Sequence, residues 1–279
     1  MQPRMTHFLL VPTCALALGS QTIGHAAETL VTIDVPGATL TAGQGINARG
    51  DIVGQYVTGG LTRGFLLSEG EFRSIDFPGA SSSFARGINA RGDIVGQYIS
   101  GGTTHGYLLS GREFVSIDYP GASLTTAREI NARGEIVGRY DSGGITHGFL
   151  WSGGEFTTID CPGADSTVAF GINDRGEIVG NCTIAGVAHG FLLTNGAFTT
   201  FDFPGASATF GGGINDRGDI VGRYVSAGIS HGFLLSADTF TTIDVPGASF
   251  TSGLEINARG DIIGFFTMAG VNHGFLLIH

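Results

Sequence analysis

The sequence predicts an all-β fold, a six-bladed β-propeller of 42-residue, four-stranded repeats. Three observations carry this expectation. First, the motif Ile-Asn-[Ala/Asp]-Arg-Gly-[Asp/Glu]-Ile-[Val/Ile]-Gly occurs six times, with Asn47, Asn89, Asn131, Asn173, Asn215 and Asn257 each 42 residues apart. Asp-x-Pro-Gly-Ala keeps the same step from Asp34 to Asp244, and His-Gly-[Phe/Tyr]-Leu does so from His105 to His273, with Arg63 in the first place. A fixed period of this size marks a repeat architecture in which each copy is one supersecondary unit. Second, no segment shows helical apolar periodicity, whereas each copy holds short β-branched and aromatic runs bounded by turn residues. Third, the copies are offset at the ends. Thr29–Asp34 matches the strand Phe-Thr-Thr-Ile-Asp of later copies, and the last copy lacks that strand. The N-terminal strand is therefore expected to complete the last blade and close the ring, leaving no open edge.

The second copy illustrates the elements in order. Glu71 to Phe77 alternates as a strand and is stopped by Pro78-Gly79, because proline donates nothing to a ladder and Pro-Gly favours a turn. Ser82 to Asn89 forms the next strand, Ala90-Arg91-Gly92 a hairpin connection, and Asp93 to Ile99 the third strand. Gly101-Gly102 turns the chain again into His105 to Ser110. The strand equivalent to Thr39–Asn47 is then innermost in each blade and lines the channel. Two tandem β-trefoils are the runner-up, disfavoured because no linker follows the third copy.

Residues 1–26 stand outside the repeat. Arg4 precedes an apolar run from Phe8 to Gly19, and Gly24-His25-Ala26 supplies small residues before a cut after Ala26. This reads as a bacterial secretory signal, too short to span a membrane. Residues 27–279 are then a single domain, secreted or periplasmic and monomeric. Without the leader the chain carries 13 arginines and no lysine against 24 carboxylates. That acidic balance disfavours nucleic acid and anionic membrane surfaces as partners.

The repeat Gly171-Ile172-Asn173-Asp174-Arg175-Gly176-Glu177-Ile178-Val179-Gly180, together with His-Gly-Phe where His-Ala-Phe is usual, resembles the extracellular HAF-type repeat proteins of bacteria. The resemblance covers all six copies. It implies secretion and a repeat fold, and it brings no activity, cofactor or catalytic residue with it.

Residues present in every copy belong first to folding. The five histidines sit one per blade on strands away from the axis, too dispersed to hold one metal ion, and Arg63 in their series points to hydrogen bonding. Arg-Gly-Asp at Arg49, Arg91, Arg217 and Arg259 alternates with Arg133-Gly-Glu and Arg175-Gly-Glu, so the turn calls for an acid rather than an adhesion tripeptide. The candidate binding residues are those that only some copies carry. On the innermost strand these are Gln44, Arg86, Arg128, Glu129 and Glu255; on the next strand they are Arg139 and Arg223, beside Gln55, Gln97 and Asn181. Glu129 and Glu255 are three copies apart on opposite sides of the ring, which argues against a carboxylate pair for acid–base work. No catalytic constellation, metal cluster or cofactor motif appears. The expectation is a non-catalytic binding module for an extracellular glycan or protein. The alternative is a lyase or hydrolase acting on polysaccharide through the channel, which requires Arg86, Arg128 and Glu129 to converge with a base. Finally, Cys161 and Cys182 jointly replace two large residues of the fourth copy. This predicts that they are neighbours, either disulfide-bonded in an oxidising compartment or a pair of buried free thiols.

Overall fold

The computed structural model describes residues 29–279, and the expected leader lies outside them. The described chain is entirely strands and turns, 24 strands in all. Among these residues no helix is long and apolar enough to cross a membrane. A first strand, β1 (Thr29–Ile33), precedes a meander of β2 (Leu40–Ile46), β3 (Ile52–Thr58), β4 (Leu61–Ser68) and β5 (Glu71–Ile75). These four pair antiparallel in that order. The pattern repeats with inner strands β6 (Ser82–Ile88), β10 (Leu124–Ile130), β14 (Ser166–Ile172) and β18 (Ala208–Ile214). The final unit is β22 (Phe250–Ile256), β23 (Ile262–Met268) and β24 (Val271–Ile278), and its fourth strand is β1, paired antiparallel from Thr29↔Ile278 to Ile33↔Gly274. Each inner strand lies against the inner strand of the next unit, and β22 lies against β2.

Turn chemistry explains the boundaries. In the first unit the Asn47 carbonyl accepts from Gly50 N at 3.0 Å, and Gly50 takes φ +89°, a conformation that favours glycine. The second glycine of the motif has another cause: a Cβ at Gly138 would lie 2.0 Å from the Thr126 carbonyl oxygen and 2.8 Å from the Phe149 ring. Phe65, Tyr107, Phe149, Phe191, Phe233 and Phe275 are the equivalent rings, all essentially fully buried, and they centre a separate apolar cluster in each unit. Each such side chain stabilises the fold by roughly 1.5–3 kcal/mol.

Repeated polar residues form the expected structural network. Asn47 Nδ2 donates to Asp51 Oδ2 at 2.9 Å and to the Asn89 carbonyl of the next unit at 3.2 Å. The same link runs on through Asn89, Asn131, Asn173 and Asn215, and Asn257 donates to the Asn47 carbonyl at 3.3 Å. Arg49 pairs with Asp51 and reaches the Ala90 carbonyl, so the arginine serves its own turn acid and not the Asp34 series. For Asp51, burial alone would raise the carboxyl, but hydrogen bonds from Ser68, Asn47 and Arg49 outweigh it and hold it below the usual range. The histidines bond the Asp34 series: His105 Nδ1 lies 3.0 Å from Asp118, and His273 3.0 Å from Asp34, joining the two ends of the described chain. Arg63 makes the same bond to Asp76 at 2.8 Å, as a hydrogen-bonding role requires.

Cys161 and Cys182 occupy a position that holds stacked rings elsewhere. Phe77–Tyr98, Tyr119–Tyr140 and Phe203–Tyr224 each stack with centroids 3.6 Å apart. The cysteines are neighbours accordingly, both buried and in mutual side-chain contact. The contact with Cys182, then burial, pushes the Cys161 thiol up. Restoring the rings with Cys161→Phe plus Cys182→Tyr is expected to raise the melting temperature by roughly 2–4 °C, while Cys161→Phe alone lowers it. Differential scanning calorimetry of the two variants checks this.

Candidate functional site

Every inner strand carries a β-bulge at the same place. In β2 the ladder skips from Gly43 to Gly45, and in β6, β10, β14 and β22 it skips from Ala85 to Gly87, Ala127 to Glu129, Ala169 to Gly171 and Gly253 to Glu255. In β18 the shift spans Gly211 to Ile214. The unpaired residues are therefore Gln44, Arg86, Arg128, Phe170 and Leu254, with Gly212 inside the wider shift. A bulge frees a residue from the ladder and re-aims its side chain. Here it does so at the position that varies most between copies.

Three arginines lie on the strands that carry or flank these bulges. Arg86 and Arg128 come from inner strands, and Arg139 from the neighbouring strand, opposite Thr126. They lie close enough to depress one another's basicity: burial, with repulsion from Arg139, brings Arg86 down to about 10, and burial with repulsion from Arg86 and Arg139 brings Arg128 well below its ordinary value. Arg86 Nη1 donates to Gln44 Oε1 at 2.7 Å, and the Arg128 guanidinium sits 4.7 Å above the Phe170 ring. Yet the Nε of Arg86, Arg128 and Arg139 is in each case buried without a hydrogen-bond partner. Gln55 Oε1 and the Tyr107 hydroxyl are orphaned likewise. Among the described residues no carboxylate lies within ion-pair distance of these three arginines. Arg223 stands apart, over Phe210 at 3.7 Å, with Ser230 at 3.4 Å and burial lowering its basicity.

Glu129 and Glu255 do not join the arginines. They lie close enough to act on each other's charge, and each backs onto its own strand, Glu129 Oε1 accepting from Ile130 N and Glu255 Oε1 from Ile256 N, both at 2.9 Å. This corrects the expectation that units three apart keep them separate. Opposite units face one another across the axis, and four of the six equivalent positions are glycine (Gly45, Gly87, Gly171, Gly213), so two long side chains fill the centre. The fit is tight, since a Cβ at Gly87 would lie 2.5 Å from Glu129 Oε1. Both carboxyls are buried, 7% exposed. Burial, then the charge of Glu255, holds Glu129 well above the carboxylate range, and burial raises Glu255 to about 7. The pair floors a cavity of about 110 Å³ rimmed by the Asn47 series, which none of the arginines lines. The cavity lining thus includes Glu129 and Glu255 but neither Arg86 nor Arg128.

Of the seven candidate binding residues, the structure joins Gln44 to Arg86, sets Arg128 over Phe170 with Arg139 on the strand paired to its own, brings Glu129 and Glu255 together, and leaves Arg223 among aromatics. Tyr107 is a residue that inspection of the sequence passes over. Its signal is a lone tyrosine in a series that is otherwise Phe65, Phe149, Phe191, Phe233 and Phe275. Its hydroxyl is held strongly protonated by burial, within the field of Arg86.

No protein-family model and no curated protein matches the sequence. Solved structures do match in shape. Virginiamycin B lyase from Staphylococcus aureus superposes with a TM-score of 0.53 at 10% identity, covering 91% of this chain and 100% of the lyase. A putative gluconolactonase gives 0.54 at 13%, covering 91% and 93%. The β-propeller domain of the Trilobed protease from Pyrococcus furiosus, described as having an open velcro topology, gives 0.54 at 10%, covering 90% and 84%. Likeness at such identities concerns the fold alone, and that fold is the β-propeller, built here from repeated four-stranded sheets.

Proposed function

We propose that this chain is an exported, HAF-type, six-bladed β-propeller, its ring closed by β1, that serves as a non-catalytic module binding an extracellular glycan. The pairing of β1 with β24 and the Asn257–Asn47 link support the closure. The apolar, signal-like run in residues 1–26 supports export. One observation carries the binding role: the polar residues shared by all copies are consumed by the folding network, whereas Arg86, Arg128 and Arg139, which only some copies carry, each keep a buried Nε without a partner. Groups of that kind are costly to a fold unless a ligand satisfies them.

The test is a glycan array probed with the full mature chain. Binding of at least one glycan is expected, lost in Arg86→Gln/Arg128→Gln and kept in Arg73→Gln, an exposed arginine paired with Glu71. An array with no bound glycan, when an envelope protein is retained instead, makes the partner a protein. Retention of nothing removes the binding role.

A further inference from the structure

We propose that the seam between the last unit and the first is a binding site for a small molecule with a single aromatic ring bearing a hydroxyl group, seated where other units place a ring of their own. None of the seven candidate binding residues lines this site, so it goes beyond the glycan reading and stands independently of it.

The Asp-x-Pro-Gly-Ala turn carries one apolar residue that varies between copies: Val35, Phe77, Tyr119, Cys161, Phe203 and Val245. Where it is aromatic, it packs against the phenylalanine of the outer strand. Phe77 meets Phe114 with centroids 5.2 Å apart, Tyr119 meets Phe156 at 5.0 Å, and Phe203 meets Phe240 at 5.2 Å. In the first unit Phe72 keeps the place of Phe114, but Val35 replaces the ring that packs on it elsewhere. A cavity of about 340 Å³ opens at this point, with Val35, Leu67 and Phe72 among its walls. The last unit also has a valine, Val245, but it does not present the same wall. Leu30 stands there in the place of Phe72, and Met268 Cε reaches within 3.8 Å of where a Cβ on Gly247 would lie. An apolar cavity of roughly 150 Å³ takes a benzene-sized molecule, so the first unit has room for one ring and a short substituent.

The polar part of the lining selects the substituent. Asp34 and His273 line the cavity, bonded to each other at 3.0 Å, with the carboxyl about half exposed. Asn272 lines it too, and no other copy has an amide at that place: the equivalents are Thr62, Thr104, Thr146, Ala188 and Ser230. Thr267 Oγ1 donates to Asn272 Oδ1 at 2.7 Å, which leaves the amide nitrogen to donate. A hydroxyl can accept from that nitrogen and donate to Asp34, and so serves both. A carboxylate on the ring would face Asp34 and a chain of formal net charge −10. A flat ring gains over a saturated one from the edge-on aromatic contact that the other units make at this place.

The experiment titrates the full chain with benzyl alcohol, cyclohexylmethanol, toluene and benzoate by protein-observed NMR, with ring-to-methyl NOEs locating the ligand. Benzyl alcohol is expected to show NOEs to the Val35 and Leu67 methyls. It should bind at least about threefold tighter than cyclohexylmethanol and about tenfold tighter than benzoate. Val35→Phe returns the ring that the second unit carries. It is expected to abolish benzyl alcohol binding while leaving the melting temperature unchanged or higher. Asn272→Thr, the residue of three other units, is expected to weaken benzyl alcohol about threefold and to leave toluene unaffected. Absence of NOEs to Val35, equal or tighter binding of cyclohexylmethanol or benzoate, or undiminished binding by Val35→Phe overturns the proposal. A Val35→Phe chain that melts lower also overturns it, because the cavity then lacks room for the ring. If benzyl alcohol binds here and no array glycan does, this site stands and the glycan role falls; the reverse result does the opposite.

Discussion

Replacing Glu129 and Glu255 together by glutamine is expected to remove a decline in stability that the wild type suffers between about pH 4.5 and pH 7. The cause is the buried carboxyl pair Glu129 and Glu255, both held protonated across that interval. In the unfolded chain each carboxyl titrates near its ordinary value of 4.5, whereas in the folded chain Glu255 is raised to about 7 and Glu129 stands well above the carboxylate range. Across that interval the folded protein binds more protons than the unfolded one, so stability falls as pH rises. The contribution is complete below the unfolded value and is lost as pH passes through the folded one. For Glu255 alone, the rise from 4.5 to about 7 corresponds to about 3 kcal/mol. That is a sizeable part of a domain's stability. Asp51, Asp93, Asp219, Asp261 and Glu135 act in the opposite sense. Burial raises each, but hydrogen bonds and paired arginines outweigh it and leave each lowered. Their stabilisation is lost as pH falls below the ordinary carboxylate range, giving the wild type a maximum near pH 5. The double variant keeps this acid limb and loses the alkaline one. The His–Asp pairs are common to both proteins, so the difference between their profiles isolates the carboxyl pair. Chemical denaturation at pH 5 and pH 8 decides the matter: equal wild-type stability at both, or an unchanged slope in the double variant, contradicts the raised carboxyl pair.

The failure to foresee that pair is instructive about what a repeat sequence discloses. Strand positions, turn types and the innermost place of the Thr39–Asn47 segment could be read directly, because period-2 alternation, Pro-Gly and Asn-x-x-Gly act locally. The neighbours Cys161 and Cys182 could be read because two large apolar or aromatic residues are exchanged together in one copy alone. Contact across the axis has no such local signature. It depends on how narrow the ring is, which follows from how closely inner strands approach one another. The clue was the run Gly45, Gly87, Glu129, Gly171, Gly213, Glu255: four positions without side chains and two with long ones, spaced by half a turn of the ring. The mutual effect of Arg86, Arg128 and Arg139 was hidden for a related reason. A bulge displaces the inner-strand arginines relative to the ladder, and sequence patterning does not reveal where the extra residue sits. The same local rules that made the fold readable are silent about side chains that leave the ladder.

Deleting Thr29–Val35 is expected to abolish folding of the chain, and the reason is the seam rather than the length removed. β1 is the fourth strand of the last unit. It buries Leu30, Val31, Ile33 and Val35, each no more than 6% exposed, and Asp34 bonds His273. At about 2 kcal/mol per apolar side chain, the lost burial is about 8 kcal/mol, comparable with the whole stability of a domain. The deletion also strips the hydrogen-bonding partner from β24. Its outward edge then offers Phe275, Leu276 and Leu277 as a template for another chain, so the product should aggregate or exchange strands rather than remain as an open ring. A permuted chain separates this account from a nonspecific need for the N-terminus. Moving residues 29–37 to follow His279 through an Asn-Gly turn recreates the β4–β5 hairpin geometry found within the first unit, while the chain now begins at Ala38. It loses the bond from Val35 N to Thr41 Oγ1 at 3.0 Å only if the transferred turn fails to reach β2. The permuted chain is expected to be soluble and cooperative, with a circular-dichroism spectrum matching the wild type and a melting temperature lower by no more than about 10 °C. A deletion product that stays folded and monomeric in analytical ultracentrifugation, or a permuted chain that does not fold, would show that the last unit does not depend on β1 as its fourth strand.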